Sequence, residues 1–417
     1  MDHATLYFSM AIILCLLMTW GVGANDLANV MSTTMGSKAI TVREAMIIAI
    51  VFELAGAFLG GTGVTGTMRD GIINASQLYT SPQILVEGML GVLLACTIWM
   101  NLASYLGVPV SITNALVGSM VGFGSFVLGP EAVHWHQVSY IAIGWVTSPL
   151  IAGVTGYVLF TTIQLAIFTR TDPLHKAKFY MPIYLFLIGC VLSFITVFKG
   201  LHHFHIILNS KMNMVVILFT SLFITVVGMV CIKRIPEAKD MKRREAFIQV
   251  ERYFAVLMAM TACAMVFAHG SNDVSLAIGP LTLIYSLVID SSHAINASDY
   301  PAWMILFGCF GVIAGFLIYG KKVIETVGSS ITALTPSRAF AATLAAATSV
   351  VVATSFGIPV SATQTLVGSV LGVGLARGIG ALNLIVIRNI FTSWILTLPA
   401  ASLLTIGSYK LLHYVLS

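Results

Sequence analysis

The sequence predicts an all-α integral membrane protein with about 12 transmembrane spans, built as two inverted repeats with broken or re-entrant helices. Three observations carry that expectation. Of 417 residues, 58% are hydrophobic and only 9% are charged, where a soluble domain carries roughly 25% charged residues. The mean hydropathy is +0.95, and the apolar runs reach the ~20 residues a helix needs to cross hydrocarbon. Two motifs also occur twice. Gly107-Val108-Pro109-Val110-Ser111-Ile112-Thr113-Asn114-Ala115-Leu116-Val117-Gly118-Ser119 returns as Gly357-Ile358-Pro359-Val360-Ser361-Ala362-Thr363-Gln364-Thr365-Leu366-Val367-Gly368-Ser369, identical at nine of thirteen positions and offset by 250. Gly23-Ala24-Asn25-Asp26-Leu27 returns as Gly270-Ser271-Asn272-Asp273-Val274 at an offset of 247.

Taken in order, the apolar runs place spans near 4–34, 42–62, 83–105, 109–128, 137–168, 180–198, 213–232, 252–289, 301–320, 338–356, 359–376 and 383–409. Weak alternation and many small residues favour helices over a β-barrel. Several runs are too long for one plain rod and are interrupted by Gly, Asn, Asp or Pro, so they read as broken or hairpin helices. The divisions are a first transport repeat (1–168), linker spans with a basic cytoplasmic loop (169–250) and a second, inverted repeat (251–417).

Charge sets the orientation. Lys233, Arg234, Lys239, Lys242, Arg243, Arg244 and Arg252 form the densest basic cluster, which belongs in the cytoplasm. Counting spans from there also puts Arg170, Lys176, Lys178, Lys38, Arg43, Lys321, Lys322 and Arg377 inside. Both termini and the loop from Asp290 to Asp299 then fall outside. The first repeat begins outside and the second begins inside, which inverts one against the other. The formal charge of +5 is therefore topological, and no nucleic-acid partner is expected.

Six cysteines (Cys15, Cys96, Cys190, Cys231, Cys263, Cys309) lie in apolar runs without paired spacing, so they read as small buried hydrophobes. Gly21-Val22-Gly23-Ala24 resembles a signal-peptidase site. However, Met1-Asp2-His3 lacks a basic residue and Asn25-Asp26 belongs to the repeat, so the first helix is expected to stay uncleaved.

The chemistry lies in the two motifs. In Pro-Val-Ser-x-Thr, proline suits a helix start and Ser caps its free N–H groups. Each copy presents a helix N-terminus, hydroxyls (Ser111, Thr113; Ser361, Thr363) and an amide (Asn114 or Gln364) at membrane depth. Such an end binds oxyanions, and two inverted copies would converge on one point. Asp26 and Asp273 lie inside apolar runs, where a carboxylate is expensive and marks function. With carbonyls freed near Gly23 and Gly270, they suit Na⁺ (a metal role for Asp26 and Asp273) or a proton. Asn25 and Asn272 can donate to an anion or accept from a cation. Glu53 is a further candidate for the coupling ion.

Gly23-Ala24-Asn25-Asp26-Leu27-Ala28-Asn29, Gly270-Ser271-Asn272-Asp273-Val274 and the twin Pro-Val-Ser-x-Thr elements resemble the inorganic phosphate transporter (PiT) family over nearly the whole chain. The resemblance implies uptake of inorganic phosphate, in some bacterial members as a neutral metal–phosphate complex, by symport with Na⁺ or H⁺. It implies twelve spans with both termini outside, and sites at Asn25, Asp26, Ser111, Thr113, Asn114, Asn272, Asp273, Ser361, Thr363 and Gln364. The second Asn-Asp pair is followed by Val274-Ser275-Leu276 and not by Leu-Ala-Asn, so the halves are chemically unequal.

Other polar residues read more plainly. Glu87 sits near a span end and is expected at an interface. Arg388 and Asn389 are expected to snorkel, and His202, His203 and His205 to lie in an outer loop. Rival functions are a permease for another oxyanion such as sulfate, a passive anion channel, or a membrane enzyme acting on phosphoryl groups. The last lacks any nucleophile-and-base constellation, and no cofactor beyond the coupling ion is expected. The setting is a cell membrane, the inner membrane of a bacterium. Small-residue runs such as 56–66 suit packing within one protomer or in a homo-oligomer.

Overall fold

The first apolar run folds as α1 (Ala4–Val22), one π-helical turn (Gly23–Leu27) and α2 (Ala28–Gly36). The computed structural model describes residues 4–60, 71–73, 82–197, 209–237, 242–289, 301–356 and 358–416. His202, His203, His205, Gly357, Lys239, the 61–66 part of the glycine run and the 290–299 loop lie outside the described residues. The chain continues as α3 (Val42–Gly60), α4 (Pro82–Leu106), α5 (Ile112–Val127) and α6 (Trp135–Ile163). A π-turn (Gln164–Phe168) ends the run of α6, and then come α7 (Pro173–Ile195), α8 (Ser210–Lys233), α9 (Arg243–His269), a further π-turn (Gly270–Val274) and α10 (Ser275–Val288). Last are α11 (Ala302–Tyr319), α12 (Lys321–Ser330), α13 (Pro336–Ser355), α14 (Ala362–Ala376) and α15 (Leu384–Leu416).

Local chemistry explains the boundaries. Proline opens α7 and α13, where a missing N–H costs nothing. The Asp172 side chain accepts from His175 N at 3.0 Å, and Asn209 from Met212 N at 2.9 Å, which caps α7 and α8. For this reason α7 starts at Pro173, earlier than the hydropathy near 180 indicates. The polar α12 escaped the hydropathy reading for the opposite reason, because it has too few apolar residues to register as a span.

Among the described residues, nine helical runs are long and apolar enough to cross a membrane. Together with α3, α5 and α14 they account for every predicted segment. Helix α3 has the length, but carries Arg43, Glu44 and Glu53. Helices α5 and α14 are 16 and 15 residues long, about 24 Å or less, too short for hydrocarbon about 30 Å thick. They are re-entrant, as the Pro-Val-Ser-x-Thr breaks predict.

The repeats interlock. Helix α1 packs on α4, and α9 packs on α13, each within its own repeat. The broken helices also take a neighbour from the other repeat: α11 lies on α1 and its π-turn, while α3 lies on α9 and its π-turn. The re-entrant helices cross over too, α5 onto α15 and α14 onto α6. Ser402 Oγ donates to Gly118 O at 2.6 Å, and Thr365 Oγ1 to Ser148 Oγ at 3.1 Å, across these contacts. Each motif is thus held by elements of both repeats.

Helices α7 and α8 have no counterpart in the repeat and pack on each other. Phe219 and Phe223 of α8 are exposed, as a lipid-facing surface requires. Beside α7, Lys178 Nζ bonds Glu237 at 2.6 Å, and the Tyr253 hydroxyl donates to the same carboxylate. Lys178 first, then Tyr253, holds the Glu237 carboxyl below the usual range.

Two expectations change. Cys15, Cys96 and Cys309 are buried, but Cys190 and Cys263 are only partly so and Cys231 is exposed on α8, because an apolar run in a bilayer has an outer face. Glu87, expected at an interface, is fully buried, since Tyr7, Gln83 and His413 satisfy its oxygens.

Candidate functional site

A π-turn adds a residue to a helix and disturbs its carbonyl ladder. The π-turns at Gly23–Leu27 and Gly270–Val274 coincide with the glycine-containing Asn-Asp motifs, whereas a third, Gln164–Phe168, only ends the run of α6. A Cβ on Gly23 would fall 1.7 Å from Val312 O, and one on Gly270 would fall 2.3 Å from Glu53 O. Only glycine lets α11 and α3 approach the two breaks this closely. The same contacts identify Val312 and Glu53 as equivalent positions in the two halves.

The first break is tied to its re-entrant segment. Asn25 Nδ2 donates to Val108 O at 3.0 Å and to Ser104 Oγ at 3.3 Å, while its Oδ1 accepts from Val110 N at 2.9 Å. Asp26 Oδ2 accepts from Ile112 N, the first residue of α5, at 3.2 Å. Its other oxygen accepts from the Thr363 hydroxyl of the opposite repeat. Asn25 is thereby committed to holding the backbone, and Asp26 joins both re-entrant helices.

The second break is built differently. Asn272 Nδ2 donates to Val360 O at 2.8 Å and to Asp273 Oδ1 at 2.6 Å. His269 Nε2 lies 3.1 Å from Asp273 Oδ2, and its Nδ1 lies 2.8 Å from Glu53 Oε1. All three ionisable groups are buried. Glu53 and His269 are thus hydrogen-bonded, while Asp273 lies beside the same ring with neither His269 Nε2 nor Asp273 Oδ2 in a hydrogen bond, and the three ionisable groups reach from α3 into the break.

Ser111 and Ser361 are helix caps, as their place in the motif predicts. Asn114 N donates to Ser111 Oγ at 3.3 Å, and Gln364 N to Ser361 Oγ at 3.1 Å. The Thr113 hydroxyl donates to Val360 O of the other repeat at 3.2 Å. Ser111, Thr113, Ser361 and Thr363 are all buried. Thr113 and Thr363 thus lace the two re-entrant starts together, and the positive ends of α5 and α14 meet in one polar centre.

Several polar atoms there lack protein partners: Asn114 Oδ1, Gln364 Oε1, Asn272 Oδ1, Glu53 Oε2 and both side-chain polar atoms of Asn29. Buried polar groups without partners cost stability unless a ligand or water satisfies them. Asn29 lies one turn beyond Asp26 and stands inside the first motif, yet no role was assigned to it from sequence. His269 was also missed. Its signal is its position immediately before Gly270, but only the packing of α3 on α9 reveals its partner.

A cavity of about 730 Å³ opens between α6 and α15, with Asn114 and Gln364 on its wall. Trp145, Pro149, Leu371 and Trp394 contribute to an otherwise apolar lining. Neither Asp26 nor Asp273 borders it. Arg388 and Asn389 are exposed and do not join the centre.

Known proteins resemble this chain. A model of the phosphate transporter family matches residues 22–405. A Haemophilus influenzae protein named "Putative phosphate permease" is 43% identical over 399 residues, covering 95% of this chain and 94% of its own. The Arabidopsis thaliana protein "Inorganic phosphate transporter 2-1, chloroplastic" is 36% identical, covering 97% of this chain and 71% of its own. A solved structure titled "The sodium-dependent phosphate transporter" superposes with a TM-score of 0.87 at 33% identity, covering 98% of this chain and 99% of that one. The matched region contains both breaks and both re-entrant helices, and the chain is a member of the phosphate transporter family.

Proposed function

We propose that the protein takes up inorganic phosphate by symport with a cation, through alternating access of its two repeats. One observation carries the reading. The N-termini of α5 and α14 meet at a buried centre where Thr363 reaches Asp26 and Thr113 reaches Val360. Helix-start N–H groups and hydroxyls suit the phosphate oxygens, while the Asn114 and Gln364 amides face it from the wall. Asn25 and Asn272 position the segments, and the unpartnered Asn29 amide is an additional ligand. A bare anion at this depth is costly, so a cation must offset it.

Asp26 and Asp273, with the carbonyls loosened by the π-turns, are the cation ligands. Sodium is the first reading, supported by the name of the solved neighbour. A proton is the second, supported by the buried Glu53–His269 contact. A neutral metal–phosphate complex would satisfy the same charge argument. Residues 1–168 and 251–417 are the moving repeats, joined through 169–250, in the inner membrane of a bacterium.

Radiolabelled phosphate uptake into proteoliposomes tests this. Na⁺ and proton gradients are imposed separately, with excess sulfate as competitor. Concentrative uptake driven by Na⁺ and indifferent to sulfate is expected. Uptake driven only by protons would transfer the coupling role to Glu53 and His269. Gradient-independent flux would point to a channel, and suppression by sulfate to a broader oxyanion permease.

A further inference from the structure

A second ionisable cluster lies far along α5 from the phosphate centre. Glu87 of α4 is fully buried and His413 near the end of α15 is half-exposed, with 2.7 Å between Glu87 Oε2 and His413 Nδ1. Glu87 Oε1 accepts from Gln83 Nε2 at 3.0 Å and from the Tyr7 hydroxyl at 3.3 Å. This carboxylate is satisfied, but its sole cationic partner among the described residues is a half-exposed histidine in the last turn of α15. Histidine changes charge near neutral pH.

The pair closes a stack that grips α5. His413 stacks on Tyr409 at 5.7 Å with a 16° interplanar angle, and Tyr409 meets Phe123 of α5 at 5.5 Å. Phe123 lies directly on Gly88, the residue after Glu87, where a Cβ would come 2.1 Å from the ring. Further along, Ser402 of α15 holds Gly118 O of α5. One end of α5 is therefore fixed by α4 and α15, while its other end presents Ser111, Thr113 and Asn114 to the centre.

The opposite repeat lacks the device. The position equivalent to Glu87, 250 residues on, is Ser337, which bonds Glu251 through its N–H at 2.9 Å and its hydroxyl at 2.8 Å. The position equivalent to His413 is the buried Ile163. The other groups facing Glu87 are few. Helix α1 offers Tyr7 and α15 offers Tyr409, while Lys410 turns to the Phe126 ring at 4.8 Å. Helix α5 contains no ionisable residue, and α10 only Tyr285, which packs on Phe8.

We propose that Glu87 and His413 are positioning residues that seat the first re-entrant helix, so that phosphate uptake responds to pH on the side of the chain termini. The charge bias puts that side outside. The inference rests on the phosphate reading above. With His413 charged, the ion pair holds α4 to α15 around Phe123. Once His413 is neutral the buried carboxylate loses its counter-charge, and α5 is held less firmly.

The test is phosphate uptake against external pH, with the interior buffered, for wild type, His413→Gln and His413→Lys. His413→Gln should raise KM for phosphate roughly threefold at pH 6, a modest factor because His413 is half in water. It should also lose the pH response that wild type shows beyond phosphate's own ionisation. His413→Lys, charged throughout, should keep the low KM into alkaline pH. A glutamine variant with the wild-type profile, or a response that follows interior pH, would overturn the proposal. Hydrogen exchange of residues 119–127 at the same pH values gives a second readout independent of transport. If wild type moves no phosphate at all, the substrate reading fails. The clamp then stands or falls on whether exchange in α5 rises with pH in wild type and not in His413→Lys.

Discussion

The π-turns at Gly23–Leu27 and Gly270–Val274 occupy equivalent places, yet only the second is flanked by further ionisable side chains. Around Gly23–Leu27 the positions matching His269 and Glu53 are Val22 and Val312, both buried. Around Gly270–Val274 they hold a Glu53–His269 hydrogen bond at 2.8 Å, with Asp273 3.1 Å from the other ring nitrogen. Asp26 instead meets the Thr363 hydroxyl and the Ile112 N–H. Duplication thus preserved the backbone break while the chemistry diverged. The first break joins the re-entrant helices through neutral donors, and the second carries a chain of ionisable groups suited to cation coupling.

Removing either carboxylate tests this comparison most severely. Asp26→Asn and Asp273→Asn should each cut gradient-driven uptake by about 100-fold, with folded protein confirmed by thermal melting in detergent. Normal accumulation by both would remove the cation site from the breaks.

Making the second break resemble the first is the sharper experiment. His269→Val alone strands two carboxylates and should cost about 3–5 kcal/mol of stability. Adding Glu53→Val, which copies the Val22–Val312 arrangement, should restore much of that loss. Melting of the two single variants and the double variant gives the coupling energy. An additive result would mean that the ion pair holds nothing.

Threonine hydroxyls probe the first break. Thr363 donates to a carboxylate and Thr113 to a neutral carbonyl. Charged hydrogen bonds contribute about 1.5–3 kcal/mol against about 0.5–1.5 for neutral ones. Thr363→Val should therefore weaken cation-dependent uptake by roughly tenfold and Thr113→Val by a few-fold, read from the Na⁺ dependence of the initial rate. Equal losses would deny Asp26 its special link to Thr363.

The smallest effect belongs to Lys178–Glu237, exposed at 46% and 36%. Lys178→Ala should cost under about 1 kcal/mol. The Glu237 carboxyl titrates lower in the folded protein, so its contribution is present above the unfolded value near ~4.3. That contribution is lost as pH falls through the lowered value. Melting curves of variant and wild type should differ slightly at neutral pH and converge in acid.

Much of this was legible in the chain itself. The repeated Gly-x-Asn-Asp and Pro-Val-Ser-x-Thr elements announce the breaks, and Ser111 and Ser361 cap helices as their spacing predicts. Contacts between distant segments were not legible. Glu53 and His269 lie 216 positions apart and meet only because α3 crosses onto the other repeat's broken helix. Glu87 looked interfacial because hydropathy cannot foresee that Tyr7 and His413 arrive from both ends of the chain. Asn29 stood in plain sight within the motif, but its lack of partners is a property of packing alone.

The central claim, that the second break couples phosphate to its driving ion, is tested most directly in proteoliposomes containing the Asp273→Asn variant. Accumulation under a cation gradient is compared with phosphate–phosphate exchange at equilibrium. The account predicts that exchange persists, because the re-entrant helices are intact, while accumulation is lost. Accumulation at the wild-type level would contradict it.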